Sequence, residues 1–171
     1  MHDAPADLVQ AALRAADDEV RHASLMTVAA RRHGAQPAPV EIAPPRDRTL
    51  EEIAIENAVE GCVRETLTAL VALHQSQHAT DAAIRQSFAV IAEDETRHAE
   101  LSRDVYRWAA AQLDARARAR VTAAMRAAID ELRDEACALS CESAEDRSRL
   151  GLPSPVAVRA LIDALDQRVW S

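Results

Sequence analysis

The sequence predicts an all-α fold, and three observations carry that expectation. Alanine, leucine, arginine and glutamate dominate the 171 residues, with only three Gly and four aromatic residues, two Trp, one Tyr and one Phe. That composition suits long helices rather than sheet. Apolar residues recur at helical spacing over long stretches, and prolines with glycine gather in two places, residues 34–48 and 151–155, instead of being scattered. The length suits a single domain, residues 1–171, with one sizeable core.

The first helix is expected over residues 5–33. Pro5 suits a helix start, Gly34 follows the end, and Arg31, Arg32 and His33 stand where the helix dipole favours cations. Its apolar stripe runs through Leu8, Ala12 and Ala15, is interrupted by Glu19 and His22, and resumes at Met26 and Ala29. Residues 34–48 carry Pro37, Pro39, Pro44 and Pro45 and cannot stay helical for long. Extended chain at ~3.3 Å per residue gives this linker a reach of about 45 Å, the length of a helix of about 28 residues. It is therefore expected to return the chain to the starting end of the bundle, so that the next helix runs parallel to the first.

Thr49 is the expected N-cap of a second helix lasting to about Ala79, with Glu51 and Glu52 in its first turn. At a 3.6-residue repeat Ile53, Glu60, Leu67 and Val71 share one meridian, which makes Glu60 a lone carboxylate within an apolar stripe. Glu56 and Glu65 fall further round and are expected in solvent. Gly61 costs a helix about 1 kcal/mol relative to alanine, which is tolerable where a neighbouring helix must come close. His74 and His78, one turn apart, are a conceivable metal pair, but cationic residues near a helix C-terminus are the better reading.

Thr80 or Asp81 caps a third helix, with Ile84, Phe88, Ile91, Glu95, His98, Ser102, Val105 and Tyr106 on one face, running to about Leu113. The connection before it is so short that the second and third helices must be antiparallel neighbours. A fourth helix is expected over residues 115–141 and a last one from Val156 to Trp170, with a polar loop between them. Cys137 and Cys141 could share a soft metal, but lack further ligands nearby and read better as small buried apolar residues. Three cysteines in helical context are no disulfide framework.

The net charge of −8 argues against DNA or RNA as partner, since no broad cationic surface is available to neutralise phosphates. No apolar run approaches the ~20 residues of a membrane span, and the Met1 segment lacks the order of a signal peptide. A cytoplasmic location without membrane attachment is expected.

The chemistry is concentrated in a repeat. Residues 16–25, Ala-Asp-Asp-Glu-Val-Arg-His-Ala-Ser-Leu, and residues 92–101, Ala-Glu-Asp-Glu-Thr-Arg-His-Ala-Glu-Leu, agree without a gap at Ala, Asp, Glu, Arg, His, Ala and Leu. Each carries Glu-x-x-His, a spacing that puts carboxylate and imidazole on one helix face. Two copies suggest a duplicated half-site and one metal centre built from both. Glu19, His22, Glu60, Glu95 and His98 supply the hard carboxylates and neutral imidazoles that a redox-active divalent ion takes. Asp18 and Asp94, just before each glutamate, are placed to accept the remaining N–H of the histidine on the opposite helix.

With these residues in view, the chain resembles the ferritin-like di-iron carboxylate proteins. The resemblance rests on Asp18 to Ala23, Glu56 to Thr66 and Ile91 to Ala99, and covers residues 5–112, with 115–171 as a helical C-terminal extension. It implies an antiparallel helical bundle with a long crossover, here between the first and second helices of the chain. It also implies two iron ions, or manganese as substitute, held by one Glu on each of two helices and Glu-x-x-His on each of the others. Glu60 would then be the lone carboxylate of its helix. The family's first helix has no counterpart, so its carboxylate is missing. Either the start at Met1 omits that helix, or Glu131, Asp134 and Glu135 on the fourth helix or a second subunit replace its carboxylate, and a homodimer or other homo-oligomer is expected.

The implied activity is reaction of ferrous iron with oxygen or peroxide, an oxidoreductase function. Metal binding without turnover, and a metal-free helical interaction module with an incomplete site, are the alternatives. Tyr106 lies about three turns from Glu95 and reads as packing.

Overall fold

The computed structural model describes residues 2–39, 44, 46–138 and 143–170, apart from the side chains of residues 137 and 138. The expectations for Cys137 and Cys141 fall outside what it describes. Six helices and no strand occur among the described residues.

Helix α1, Ala6–Arg32, follows Pro5. It ends in a Schellman turn: Gly34 at φ +80° lets Ala35 N–H reach Ala30 O at 2.9 Å and Gly34 N–H reach Arg31 O at 3.0 Å. Helix α2 covers residues 50–78 in three continuous pieces, Leu50–Glu56, a π-helical stretch Asn57–Glu65, and Thr66–His78. Thr49 closes a capping box: its Oγ1 accepts from Glu52 N–H at 3.2 Å, and Glu52 Oε2 accepts from Thr49 N–H at 2.8 Å.

Helix α3, Ala82–Gln112, is capped by Asp81, whose Oδ1 accepts from Ala83 and Ile84 N–H at 2.8 and 3.2 Å. Helix α4 is described over Ala115–Ala138, and residues 139–142 lie outside the described part. The expected polar loop contains a further helix, α5, Ala144–Leu150, capped by Ser143 and stopped by Gly151 at φ +65°. Its sequence carries no apolar stripe, which is why periodicity does not reveal it; the Ser143 and Gly151 caps are the signal that does. Helix α6, Pro155–Arg168, starts from Ser154 with proline in its first turn.

Contacts fix the directions. His22 meets Asp94 while Arg32 faces Asp81, so α1 is antiparallel to α3. Glu65 meets Ser102 while Ala72 packs against Ile91, so α2 is antiparallel to α3 as well. Helices α1 and α2 therefore run the same way, and the segment between them must travel the length of α1, about 40 Å at ~1.5 Å per residue.

Helix α4 runs parallel to α2, with Arg120 on Glu51 and Arg64 on Glu131. Helix α6 is antiparallel to α4, with Arg126 on Asp166 and Arg133 on Asp163. Helix α2 is thus the central element, with α3 and α1 on one side and α4 and α6 on the other.

The largest apolar cluster lies on the α4–α6 side: Val63 and Leu67 of α2, Ile129 and Leu132 of α4, and Ile162 and Leu165 of α6. At ~1.5–3 kcal/mol per fully buried aliphatic side chain, this cluster carries much of the stability of the fold. Trp170 is buried against it and donates its indole N–H to Cys62 O at 2.8 Å, capping a carbonyl of the π-helical stretch. Tyr106 packs with Ala54, Ala58 and Val121 in a second cluster. Among the described residues no helix is long and apolar enough to cross a membrane.

Candidate metal centre

The two copies of the repeat face each other where α1 crosses α3. Antiparallel packing of two like segments brings Glu19, His22, Glu95 and His98 around one point. A ligand atom from each of Glu19, Glu95 and His98 lies within 4.8 Å of the others, a group that could hold a metal ion. His22 belongs to the same cluster: its Nδ1 is 3.4 Å from Glu19 Oε1 and 3.6 Å from Glu95 Oε1. His98 Nδ1 is 3.4 Å from Glu19 Oε1 and 3.8 Å from Glu95 Oε2. The two rings are 5.9 Å apart, centre to centre.

The outward nitrogens are engaged crosswise. His22 Nε2 is 2.9 Å from Asp94 Oδ2, and His98 Nε2 is 3.3 Å from Asp18 Oδ2. Carboxylates only accept, so both Nε2 atoms carry the proton and both Nδ1 lone pairs point at the glutamates. Four acceptors converge, an arrangement that a shared proton or a metal ion would relieve.

Around this core the charge is balanced. Arg21 bridges Asp18 and Asp94, and Arg97 bridges the same two aspartates. Burial pushes the Asp94 carboxyl up, but hydrogen bonds from Arg21, His22 and Arg97 outweigh it and hold it at about 2. Asp18 is also lowered; burial opposes the shift, and His98 and Arg97 overcome it. Glu95 is raised, first by burial and then by the charge of Glu19, with Glu65 adding to it and His98 and His22 opposing it. Carboxylates and an imidazole so placed could hold a metal ion.

His22, Asp94, Glu95 and His98 are buried, whereas Glu19 keeps 59% of its side chain exposed. The cluster is therefore buried except at Glu19.

Glu60 is not among these residues. Its side chain is 61% exposed on the outside of α2, with Oε1 3.8 Å from Arg64 Nε. The expectation of an inward Glu60 assumed a 3.6-residue repeat, but Asn57–Glu65 is π-helical, and its wider turns shift the phase. Glu65, expected in solvent, is instead half-buried, accepts from Ser102 Oγ at 3.2 Å and lies close enough to lift the Glu95 carboxyl. Asn57 and Gly61, two poor helix formers inside one helix, are the sequence signal that marks this stretch.

Ser102 pins the π-helical segment. Its carbonyl accepts from Asn57 Nδ2 at 2.9 Å and from Cys62 Sγ at 3.4 Å. A Cβ on Gly61 would stand 2.2 Å from Ser102 Oγ, so glycine is required by the close approach of α2 to α3, as its position in the sequence suggests.

The fourth helix brings no carboxylate to the cluster. Glu131 and Glu135 pair with Arg64 at 3.2 and 3.3 Å on the outer surface, and Asp134 is exposed. His74 and His78 stack at 4.0 Å in the last turn of α2, and His78 Nδ1 is 2.8 Å from His74 O, an arrangement that caps the helix rather than chelates. No protein-family model, curated protein or solved structure matches the chain.

Proposed function

We propose that this chain is a di-metal carboxylate protein, with iron as the resident metal and manganese as substitute, that carries out the reaction of ferrous iron with oxygen or peroxide. The observation that supports this reading is the convergence of both imidazole Nδ1 atoms on the Glu19 and Glu95 carboxylates while both Nε2 atoms are held by aspartates. That is the donor set and outer support of a carboxylate–histidine metal site.

Glu19, His22, Glu95 and His98 would hold the metal, and Glu65 would supply the carboxylate of α2. Bound iron supplies the electrons for reduction of oxygen or peroxide. The protein contributes position and charge. Asp94 and Asp18 fix the tautomer of each ring, Arg21 and Arg97 keep those aspartates ionised, and Glu19 on the open edge is the side chain free to move as ions enter. Burial and the charge of Glu19 raise the Glu95 carboxyl, so protons compete with a cation for it and uptake is expected to weaken as pH falls.

The test is anaerobic titration of metal-free protein with ferrous iron, followed by oxygen addition. Binding of about two ions per chain, lost in Glu95→Ala, with oxygen consumed on mixing, is the expected result. No ferrous binding at micromolar concentrations overturns the reading and leaves a metal-free helical module. Glu65 is held by Ser102 Oγ and lies outside the group of ligand atoms within 4.8 Å of one another, and this favours a second reading, metal binding without turnover. Binding without oxygen uptake would establish that one.

A further inference from the structure

Between α3 and α4, beside the π-helical stretch of α2, lies a cleft of about 290 Å³ that shares no residue with the metal cluster. Cys62 of α2, Tyr106 of α3, Met125 of α4 and Trp170 line it with largely apolar surface. Trp170 is fixed in place by its indole N–H bond to Cys62 O at 2.8 Å. A cavity of about 150 Å³ is enough for benzene, so this one has room for a ring and a substituent.

Two cations share the lining, Arg103 from α3 and Arg126 from α4, and among the described residues no carboxylate joins them there. In a chain of net charge −8 this sets the cleft apart from the rest of the surface. Arg103 donates Nε–H to Ala99 O at 3.3 Å, and its guanidinium pairs with no carboxylate among the described residues. Arg126 meets Asp166, but Arg133 Nη2 also holds Asp166 Oδ2 at 2.6 Å, so Arg126 can turn to a ligand without stranding that aspartate. Burial pushes the Cys62 thiol up to about 11, so it brings no negative charge to the cleft at neutral pH. A planar guanidinium matches a carboxylate, and the faces of Tyr106 and Trp170 suit a ring. An inorganic anion would leave the apolar walls without a partner.

We infer that this cleft binds a small aromatic carboxylate, with its ring among Tyr106, Met125 and Trp170 and its carboxylate on the Arg103 guanidinium, Arg126 acting as second donor. A mainly apolar pocket with a few placed charges is the usual form of a small-molecule site. The cleft does not depend on metal, so it stands or falls separately from the proposed chemistry.

Isothermal titration calorimetry of the metal-free full chain with benzoate tests it; with metal absent, no ion at the other site can take up the carboxylate. Benzoate is expected to saturate one site per chain with a Kd of about 1 mM or tighter. Benzyl alcohol, which has the ring without the charge, and acetate, which has the charge without the ring, are each expected to bind at least about tenfold more weakly. Arg103→Ala is expected to weaken benzoate binding by about tenfold or more, and Arg126→Ala by less, because Asp166 competes for that side chain. Arg107→Ala removes an exposed arginine of the same helix that pairs with Asp104, and it is expected to leave binding unchanged. All three arginines are exposed, so helicity by circular dichroism stays at the wild-type level. No saturation by benzoate at millimolar concentrations, or benzoate binding that survives Arg103→Ala, overturns the site. Benzyl alcohol or acetate binding as tightly as benzoate overturns the assignment of an aromatic carboxylate.

Discussion

Asp94 Oδ2 stands 2.9 Å from His22 Nε2, so the helix that supplies one half of the cluster orients the imidazole of the other. Asp94→Asn keeps the shape but replaces a carboxylate with an amide that is a weaker acceptor and does not fix the tautomer. Ferrous or manganous affinity is expected to fall by about 10–100-fold, the usual cost of losing such a partner. Anaerobic metal titration of Asp94→Asn against wild type checks it, with a smaller loss expected in Asp18→Asn, where the contact is longer at 3.3 Å.

The same aspartate sets an acid limit. Its folded value of about 2 lies below the ordinary aspartate range, so its stabilisation is complete above that range and is lost as pH falls from about 4 towards 2. The contribution is of order 2 kcal/mol, shared with Arg21 and Arg97. Urea unfolding of metal-free protein at pH 6 and pH 3 should show the loss, and Asp94→Asn should lack that part of the pH dependence.

Glu60 and Glu65 separate two pictures of α2. With Glu60 facing Arg64 and Glu65 facing the cluster, Glu65→Gln is expected to lower metal stoichiometry or affinity, whereas Glu60→Gln leaves both unchanged. Metal content after dialysis, measured by elemental analysis on both variants, decides it. The opposite order would mean that metal binding restores an ordinary helical repeat.

Gly61→Ala would drive a methyl group to 2.7 Å from Ser102 Cβ. A loss of about 1–3 kcal/mol is expected from overpacking. Ser102→Gly in the same chain should recover part of it, although it also removes the hydroxyl held by Glu65. Chemical denaturation of the single and double variants measures the coupling.

Thr66 is 8% exposed and its hydroxyl has no hydrogen-bond partner among the described residues. Thr66→Val keeps the volume and removes the unpaired group, so a gain of about 1 kcal/mol is expected. A loss instead, in the same denaturation assay, would show that the hydroxyl has a partner in solution, such as an ordered water.

Helix limits were legible where caps and breakers agree, as at Pro5 and Gly34, Thr49 with Glu52, and Asp81. The two Glu-x-x-His segments were legible as a duplicated half-site, each copy putting a carboxylate and an imidazole on one helix face, and the antiparallel crossing sets each histidine against the aspartate of the other copy. What stayed hidden depends on tertiary contacts. Nine residues, Asn57–Glu65, are too few for an apolar pattern to distinguish a π-helical from an α-helical repeat, and the wider form is held by Ser102 and Trp170, far away in sequence. Helix α5 is charged on every side, so no stripe announces it.

The wide turn in α2 has a consequence for what lengths the chain tolerates. Ahead of it, Ala54 is matched to Val121; beyond it, Leu67 is matched to Ile129. Were Asn57–Glu65 to take the common 3.6-residue pitch at its present length, the tighter turns would swing one half of the helix against the other. One set of neighbours would then be forfeited, whichever end stayed put. The number of residues in that stretch acts as a spacer setting, more tightly specified than most of the side chains it carries.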